Sequence, residues 1–356
     1  MSKFEFQPDY ENIVQTACNI EAKRLPLYEH IISAGHLELI AGKKFGHLLG
    51  GDYADKVEFF KNFYSAARAV GYDTISYEWC ISSIMPNNGC LGAHRESVIK
   101  TRADFEKYPW DEVPETFFRV FADDFKALFE ATPAGMKAVG GVGNGVFECV
   151  QDIIGYINLC YIANDDPELY ADLFKKAGEI SCKIWERFMR ECAGPFCVMR
   201  FGDDLGFKST TLISADDIRA HVIPQYKKII SIVHSHNKPF LLHSCGSIFN
   251  VMDNMINEAG INAKHSNEDS IAPFPEWVRI YGDKIGNFGG IDTDAVCRLS
   301  RPELKEYITE VIAKCTNRGG FAFGSGNSIP DYVPHENFIN MTEIVREIRG
   351  DARRSS

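Results

Sequence analysis

His243-Ser244-Cys245 closes the apolar run Pro239-Phe240-Leu241-Leu242 and is followed at once by Gly246. A histidine and a cysteine two apart in an extended segment project to the same side, and imidazole with thiolate is a donor pair for a borderline ion such as zinc. Neither is a usual cap residue, so ordinary helix capping does not explain the pair. Other apolar runs end in the same manner. Glu78 follows TISY, Asp203 and Asp204 follow CVMRFG, Asn267, Glu268 and Asp269 follow KHS, Asp292 follows FGGI, and Ser325 and Asn327 follow FAFG. Carboxylates, an imidazole, a thiol and a hydroxyl released onto one face build a site for a cation or a polar substrate. Asp204, Asp269, Asp292 and Asn327 also suit caps and turns. His265 reads as a hydrogen-bonded core histidine, and His94 and His335 as loop or capping residues.

The elements that must carry these residues alternate. From about residue 70, short apolar or glycine-bounded runs exchange with longer amphipathic ones, the pattern of repeated βα units. Seven strands are read at residues 74–78, 137–143, 197–203, 239–244, 263–266, 285–291 and 319–325, with helices at 115–131, 167–192, 214–236 and 301–315 among the connections. Ser214 before Ala-Asp-Asp, and Ser300 before Arg-Pro-Glu, punctuate two helix starts. Seven parallel units without a reversal predict an α/β fold, a single (β/α)8 TIM barrel, with the eighth strand short and irregular near residues 36–50. The expected organisation is an N-terminal helical extension over residues 1–70 (helical at 54–70), the barrel over 71–348 and a fraying tail over 349–356. In a parallel barrel, chemistry sits at the carboxyl ends of the strands, where the polar residues above fall. The glycine-rich GGVGNG (140–145) lacks both dinucleotide and P-loop spacing and predicts close backbone approach at the barrel mouth.

Composition excludes several functions. The 356 residues carry a net charge of -11 without clusters of Lys and Arg, which argues against a nucleic-acid partner. No apolar stretch approaches the roughly 20 residues that span a bilayer, and the N-terminus has no signal-like apolar region, so a cytoplasmic protein without a membrane partner is expected. Eleven cysteines, with no CxxC pair, fit reduced core thiols.

The segments 202–229 (GDDLGFKSTTLISADDIRAHVIPQYKKI), 241–248 (LLHSCGSI), 287–293 (NFGGIDT) and 323–338 (FGSGNSIPDYVPHENF) resemble the uroporphyrinogen decarboxylase superfamily. The resemblance implies one (β/α)8 barrel and either of two chemistries: cofactor-free decarboxylation, or zinc-dependent methyl transfer with a corrinoid on a partner protein. Decarboxylases carry an N-terminal arginine pair that holds substrate carboxylates; residues 23–36 (KRLPLYEHIISAGH) have no such pair. The His-x-Cys-Gly pattern resembles the methyltransferase zinc motif, although Ser325 stands where those enzymes supply a second cysteine. The resemblance therefore implies Zn2+ held by His243 and Cys245, with Glu78 completing the site or acting as general acid, and Asp204 and Glu268 as further candidates. Ser325 and Asn327 would orient a small, perhaps methoxylated, substrate by its oxygen. A donor set with one thiolate and one carboxylate is the stronger Lewis acid for an oxygen. The corrinoid would come on a partner, since the chain has no Asp-x-His-x-x-Gly segment. The alternatives are decarboxylation of a porphyrinogen-like acid, with Glu78 in place of an aspartate, and a non-catalytic binding barrel.

Overall fold

The computed structural model describes residues 4–92 and 94–353. Seven strands form where the apolar runs were read, to within a residue or two at their ends: β1 Thr74–Cys80, β2 Lys137–Gly143, β3 Phe196–Gly202, β4 Phe240–His243, β5 Ala263–His265, β6 Gly286–Ile291 and β7 Phe321–Ser325. They pair in parallel and in chain order from β1 to β7, as right-handed βα repeats dictate. The strand faces alternate. Leu241, Ala263, Phe288 and Ala322 turn inward, where Ile13 and Ala17 of the helix Glu11–Ala17 pack against them.

Residues 36–50 supply no strand. Ser33 caps a helix over Ala34–Ala41, Gly42 ends it in the left-handed region (φ 67°), and Gly46–Gly50 is a 3-10 turn. The open edge beyond β7 is instead lined by an extended segment earlier in the chain. Leu27 bridges Phe323 and Ile32 bridges Ile329, both parallel, and Ser76 of β1 donates its hydroxyl to the Glu29 carbonyl. Glycine makes this approach possible, because a Cβ at position 324 would lie 1.7 Å from the Tyr28 carbonyl oxygen.

The helices follow their punctuation. Asp52 and Asp55 form a capping box for Tyr53–Val70, and Glu303 accepts the Ser300 N–H at 2.8 Å ahead of Arg301–Cys315. The expected helix over 214–236 starts at its Ser214 cap but is not continuous: Ala215–Asp217 passes through a π turn at Ile218–Val222 into Ile223–Ser235. Pro224 has no N–H for the carbonyl four residues back, and the wider turn absorbs that gap. The chain end is held further than expected, since Arg349 and Asp351 form a buried ion pair at 2.8 Å; residues 354–356 lie outside the described residues. Among the described residues no single helix is long and apolar enough to cross a membrane; the pair Val146–Ile154 and Tyr156–Asp165 passes by composition only when taken together across a 96° bend.

Candidate metal centre

β4 and β5 end in a register pair, His243 opposite His265, and the two-residue period turns both imidazoles into the barrel. Their Nδ1 atoms are 2.7 Å apart, and His265 Nε2 lies 3.1 Å from the Ser325 carbonyl oxygen. His30, from the segment beside β7, stacks on His243 with centroids 3.8 Å apart and planes 12° from parallel; its buried Nδ1 has no hydrogen-bond partner among the described residues. Beyond His243 the chain turns at Gly246 (φ 76°), where a Cβ would meet Gly206 at 2.2 Å. This contact joins the β3 and β4 exits. Cys245 N–H donates to Asp204 Oδ1 at 2.8 Å, and Cys245 Sγ comes within 3.4 Å of His243 Nε2. Asp204 Oδ1 is 3.7 Å from the same nitrogen.

Two groups of three donors converge here, Asp204 with His243 and Cys245, and His30 with His243 and His265. Bond lengths of about 2.0–2.3 Å in a tetrahedron put neighbouring donors about 3.3–3.6 Å apart. The 3.4 and 3.7 Å separations in the first group come close to this, and its chemistry of one sulfur, one nitrogen and one oxygen suits zinc. The 2.7 Å between His243 Nδ1 and His265 Nδ1 is shorter than two nitrogens on one ion allow, so those two rings are hydrogen-bonded, with His30 stacked on His243.

Burial dominates the electrostatics of the thiol and the two rings. Burial pushes the Cys245 thiol far up, and the Asp204 charge adds to it. Burial holds His243 well below the ordinary imidazole range, and takes His265 down to about 3, so both rings are neutral near pH 7. A dication beside the sulfur reverses the first effect, because thiolate is the ligand form. The sulfur already receives hydrogen bonds, from Asn327 Nδ2 at 3.3 Å and Ser266 Oγ at 3.7 Å.

The other expected site residues divide. Asp204, its side chain 44% exposed, stands with His243 and Cys245. Glu78, read as the first candidate for the third ligand, lies in neither group: Arg200, fully buried on β3, takes its Oε2 through Nε at 3.0 Å and Nη2 at 2.8 Å. Glu268 is half-buried and also in neither group. Ser325 is fully buried, and its hydroxyl donates to Glu29 at 2.5 Å, which leaves it no open side for a substrate. Asp203 caps the helix after GGVGNG by accepting Phe147 N–H at 3.0 Å and Glu148 N–H at 2.7 Å, and a Cβ at Gly145 would strike it at 2.2 Å, the close approach expected of that segment. Asp292 accepts the Asp294 N–H at 2.8 Å at the start of Thr293–Arg298 and so serves as a cap. His94 is exposed, and His335 begins the helix His335–Ile348.

Three residues at the site were not singled out from the sequence. Arg200 was visible as the single charge inside CVMRFG. Glu29 and His30 interrupt an otherwise apolar stretch, Leu25 to Ile32, whose side-by-side passage with β7 has no periodic signature.

In solved structures the fold is shared with a methyltransferase from Methanosarcina mazei, at 15% identity and a TM-score of 0.68, covering 97% of this chain and 99% of that one. A protein from Listeria monocytogenes provisionally assigned as a vitamin-B12 independent methionine synthase aligns at 12% identity and a TM-score of 0.49, over 98% of this chain and 100% of that one. Identities this low show the fold alone. No curated protein matches in sequence. The family model for uroporphyrinogen decarboxylase (URO-D), however, matches residues 63–348, which takes in all seven strands and Asp204, His243 and Cys245. That span makes the chain a member of the uroporphyrinogen decarboxylase family.

Proposed function

We propose that this chain is a zinc-dependent methyltransferase that moves a methyl group between a small oxygen-bearing substrate and a corrinoid carried by a partner protein. The observation that carries the reading is the convergence of His243 Nε2, Cys245 Sγ and Asp204 Oδ1 at near-tetrahedral spacing where the strands end. Asp204 takes the ligand place for which Glu78 was considered. Family membership and the fold shared with a methyltransferase agree with it. We also read the wall as closed, with residues 26–32 standing in for the eighth strand.

When bound, zinc supplies Lewis acidity that lowers the basicity of a coordinated oxygen. The protein's own residues prepare for that. His243 presents a neutral ring, held so by burial. Asn327 and Ser266 donate toward Cys245 Sγ and favour its thiolate over its thiol. Asp204, its side chain 44% exposed against 6% for His243, is a donor that a substrate could reach from solvent. One carboxylate in place of a second thiolate donates less electron density to the ion and makes it a harder acid, which favours an alcohol or methoxyl oxygen over a sulfur.

Decarboxylation of a polyacid needs cations at the mouth for its carboxylates. Arg200 is committed to Glu78 and to Tyr28 Oη at 2.7 Å, and Lys264 lies on the other face of β5, 4.0 Å above the Trp277 ring. Neither is available to such a substrate.

Metal analysis of protein prepared without a histidine tag tests the reading. About one zinc per chain is expected, falling to near zero in Cys245→Ala and sharply in Asp204→Ala. Wild-type protein that takes up no zinc overturns it.

A further inference from the structure

The donor face of His243 is set by hydrogen bonds that begin on the far side of the barrel wall. Glu29 projects into a cleft shared with Phe63, Ala67 and Tyr72, on the helix side of the wall. There its Oε1 accepts the Ser325 N–H at 3.0 Å and its Oε2 accepts the Ser325 hydroxyl at 2.5 Å; Tyr72 Oη donates to Oε1 at 3.4 Å. One carboxylate thus grips both the backbone and the side chain of Ser325. The carbonyl of the same residue is left facing the interior, 3.1 Å from His265 Nε2.

The protons then follow from donor and acceptor chemistry. A carbonyl only accepts, so His265 Nε2 carries the hydrogen, and a neutral ring with a proton there has its lone pair at Nδ1. That lone pair faces His243 Nδ1 across 2.7 Å, so His243 donates from Nδ1 and keeps its own lone pair at Nε2. Nε2 is the atom that looks toward Cys245 and Asp204. With the opposite tautomer, His243 would aim an N–H at the place a cation occupies.

We infer that Glu29 is a positioning residue for the centre: through Ser325 and His265 it fixes the tautomer and pose in which His243 presents Nε2. The inference rests on the metal-site reading for its consequence but not for its geometry. It also gives Ser325 a role other than orienting substrate, and it explains why a buried acid sits in the segment that lines the edge of the sheet. Removing Glu29 takes away orientation and no ligand, so binding should weaken and not vanish; outer partners of this kind change metal affinity by about 10–100-fold.

Two measurements on the full chain test this. Competition between apoprotein and a chromogenic chelator for Zn2+ should show Glu29→Met weakened by about 10–100-fold. Glu29→Gln keeps an oxygen acceptor for the Ser325 N–H and should recover most of the affinity. Nitrogen-15 shifts of the His243 ring in apoprotein should report a proton on Nδ1 in wild type and in Glu29→Gln, and a mixture of tautomers in Glu29→Met. Should Glu29→Met not fold, Ser325→Ala, which removes one of the two bonds to Glu29, carries the same tautomer comparison. Equal tautomers in all variants overturn the inference, as does unchanged affinity in Glu29→Met. Failure of wild type to bind zinc overturns the metal reading alone, since the tautomer shifts need no metal.

Discussion

The molecule contains two histidine pairs built on one plan, and only one of them leads to a donor cluster. In the barrel, the Ser325 carbonyl, His265 and His243 are joined by contacts of 3.1 and 2.7 Å. At the periphery, the Pro330 carbonyl lies 3.1 Å from His36 Nε2, and His36 Nδ1 lies 3.1 Å from His335 Nδ1. Both chains start at a carbonyl in the β7 exit and assign the same tautomers, leaving Nε2 of the last ring with its lone pair. What differs is what that atom meets. His243 Nε2 meets a thiol and a carboxylate, whereas His335 is half-exposed at a helix start and belongs to neither donor group among the described residues. Paired imidazoles are therefore no sign of a metal site in this fold; convergence of unlike donors is.

The largest expected effect separates the two pairs directly. His243→Ala should abolish zinc uptake, while His335→Ala should leave it at the wild-type level, measured by metal analysis on the same preparations. Equal loss in both would mean that the peripheral pair shapes the centre, and the contrast would fail.

A second difference is charge. Arg200 stands beside the inner pair, where it donates to the His30 carbonyl at 3.2 Å and helps hold His243 and His265 neutral, whereas His335 is held down by burial and by His36 beside it. Arg200→Met leaves Glu78 in the barrel without its partner, and breaking a buried pair on one side costs about 3–5 kcal/mol. Urea unfolding should show this loss, and should show much of it restored in the double variant with Glu78→Gln. A single variant as stable as wild type would show that Glu78 does not depend on Arg200.

The two pairs also differ in how far the sequence announced them. His243 and Cys245 were legible because their relation is local: two residues apart at the end of an apolar run, a strand period puts them on one side. Asp204 was legible as a strand-end carboxylate, though not that it and not Glu78 would stand beside His243, because that depends on Arg200 reaching across from β3 to β1. His265 was visible at the head of a buried segment and read as a core histidine, yet its place beside His243 depends on register, and register is a property of two strands. Glu29 and His30 were not legible as site residues at all. They lie on a segment joined by one bridge to β7 and by another to the chain just after it, and nothing in its composition says that it passes beside a strand some 300 residues later. The strands themselves were readable because glycine and apolar runs bound them. The strand expected near residues 36–50 is absent there, because that stretch is taken by the helix Ala34–Ala41 and the 3-10 turn Gly46–Gly50.

Acid should act on the inner pair through stability. His265 is neutral in the fold down to about 3, against 6.5 in the unfolded chain, so the unfolded chain binds the extra proton between those values. Its contribution is fully present above pH 6.5 and is lost as pH falls toward 3. Glu29 has the opposite sign. Burial raises it from 4.5 to about 7, so its contribution is complete below 4.5 and is lost as pH rises through 7. Melting curves of apoprotein should therefore flatten on the acid side in His265→Gln and on the neutral side in Glu29→Gln. A wild-type acid limb that survives in His265→Gln would assign the acid sensitivity to other groups.

The smallest effect belongs to the outer pair and tests whether it is merely structural. His36 is buried and bonded at both nitrogens, so His36→Ala should cost about 1–3 kcal/mol by leaving the Pro330 carbonyl and the His335 N–H without a partner. His335→Ala removes a half-exposed ring whose place water can take, and should cost less, under about 1 kcal/mol. If the pair is only a clasp between the helix Ala34–Ala41 and the β7 exit, the double variant should be no worse than His36→Ala, because one contact can be broken only once. Costs that add in full would mean that each ring is held by separate partners, and the parallel between the two pairs would then end at geometry.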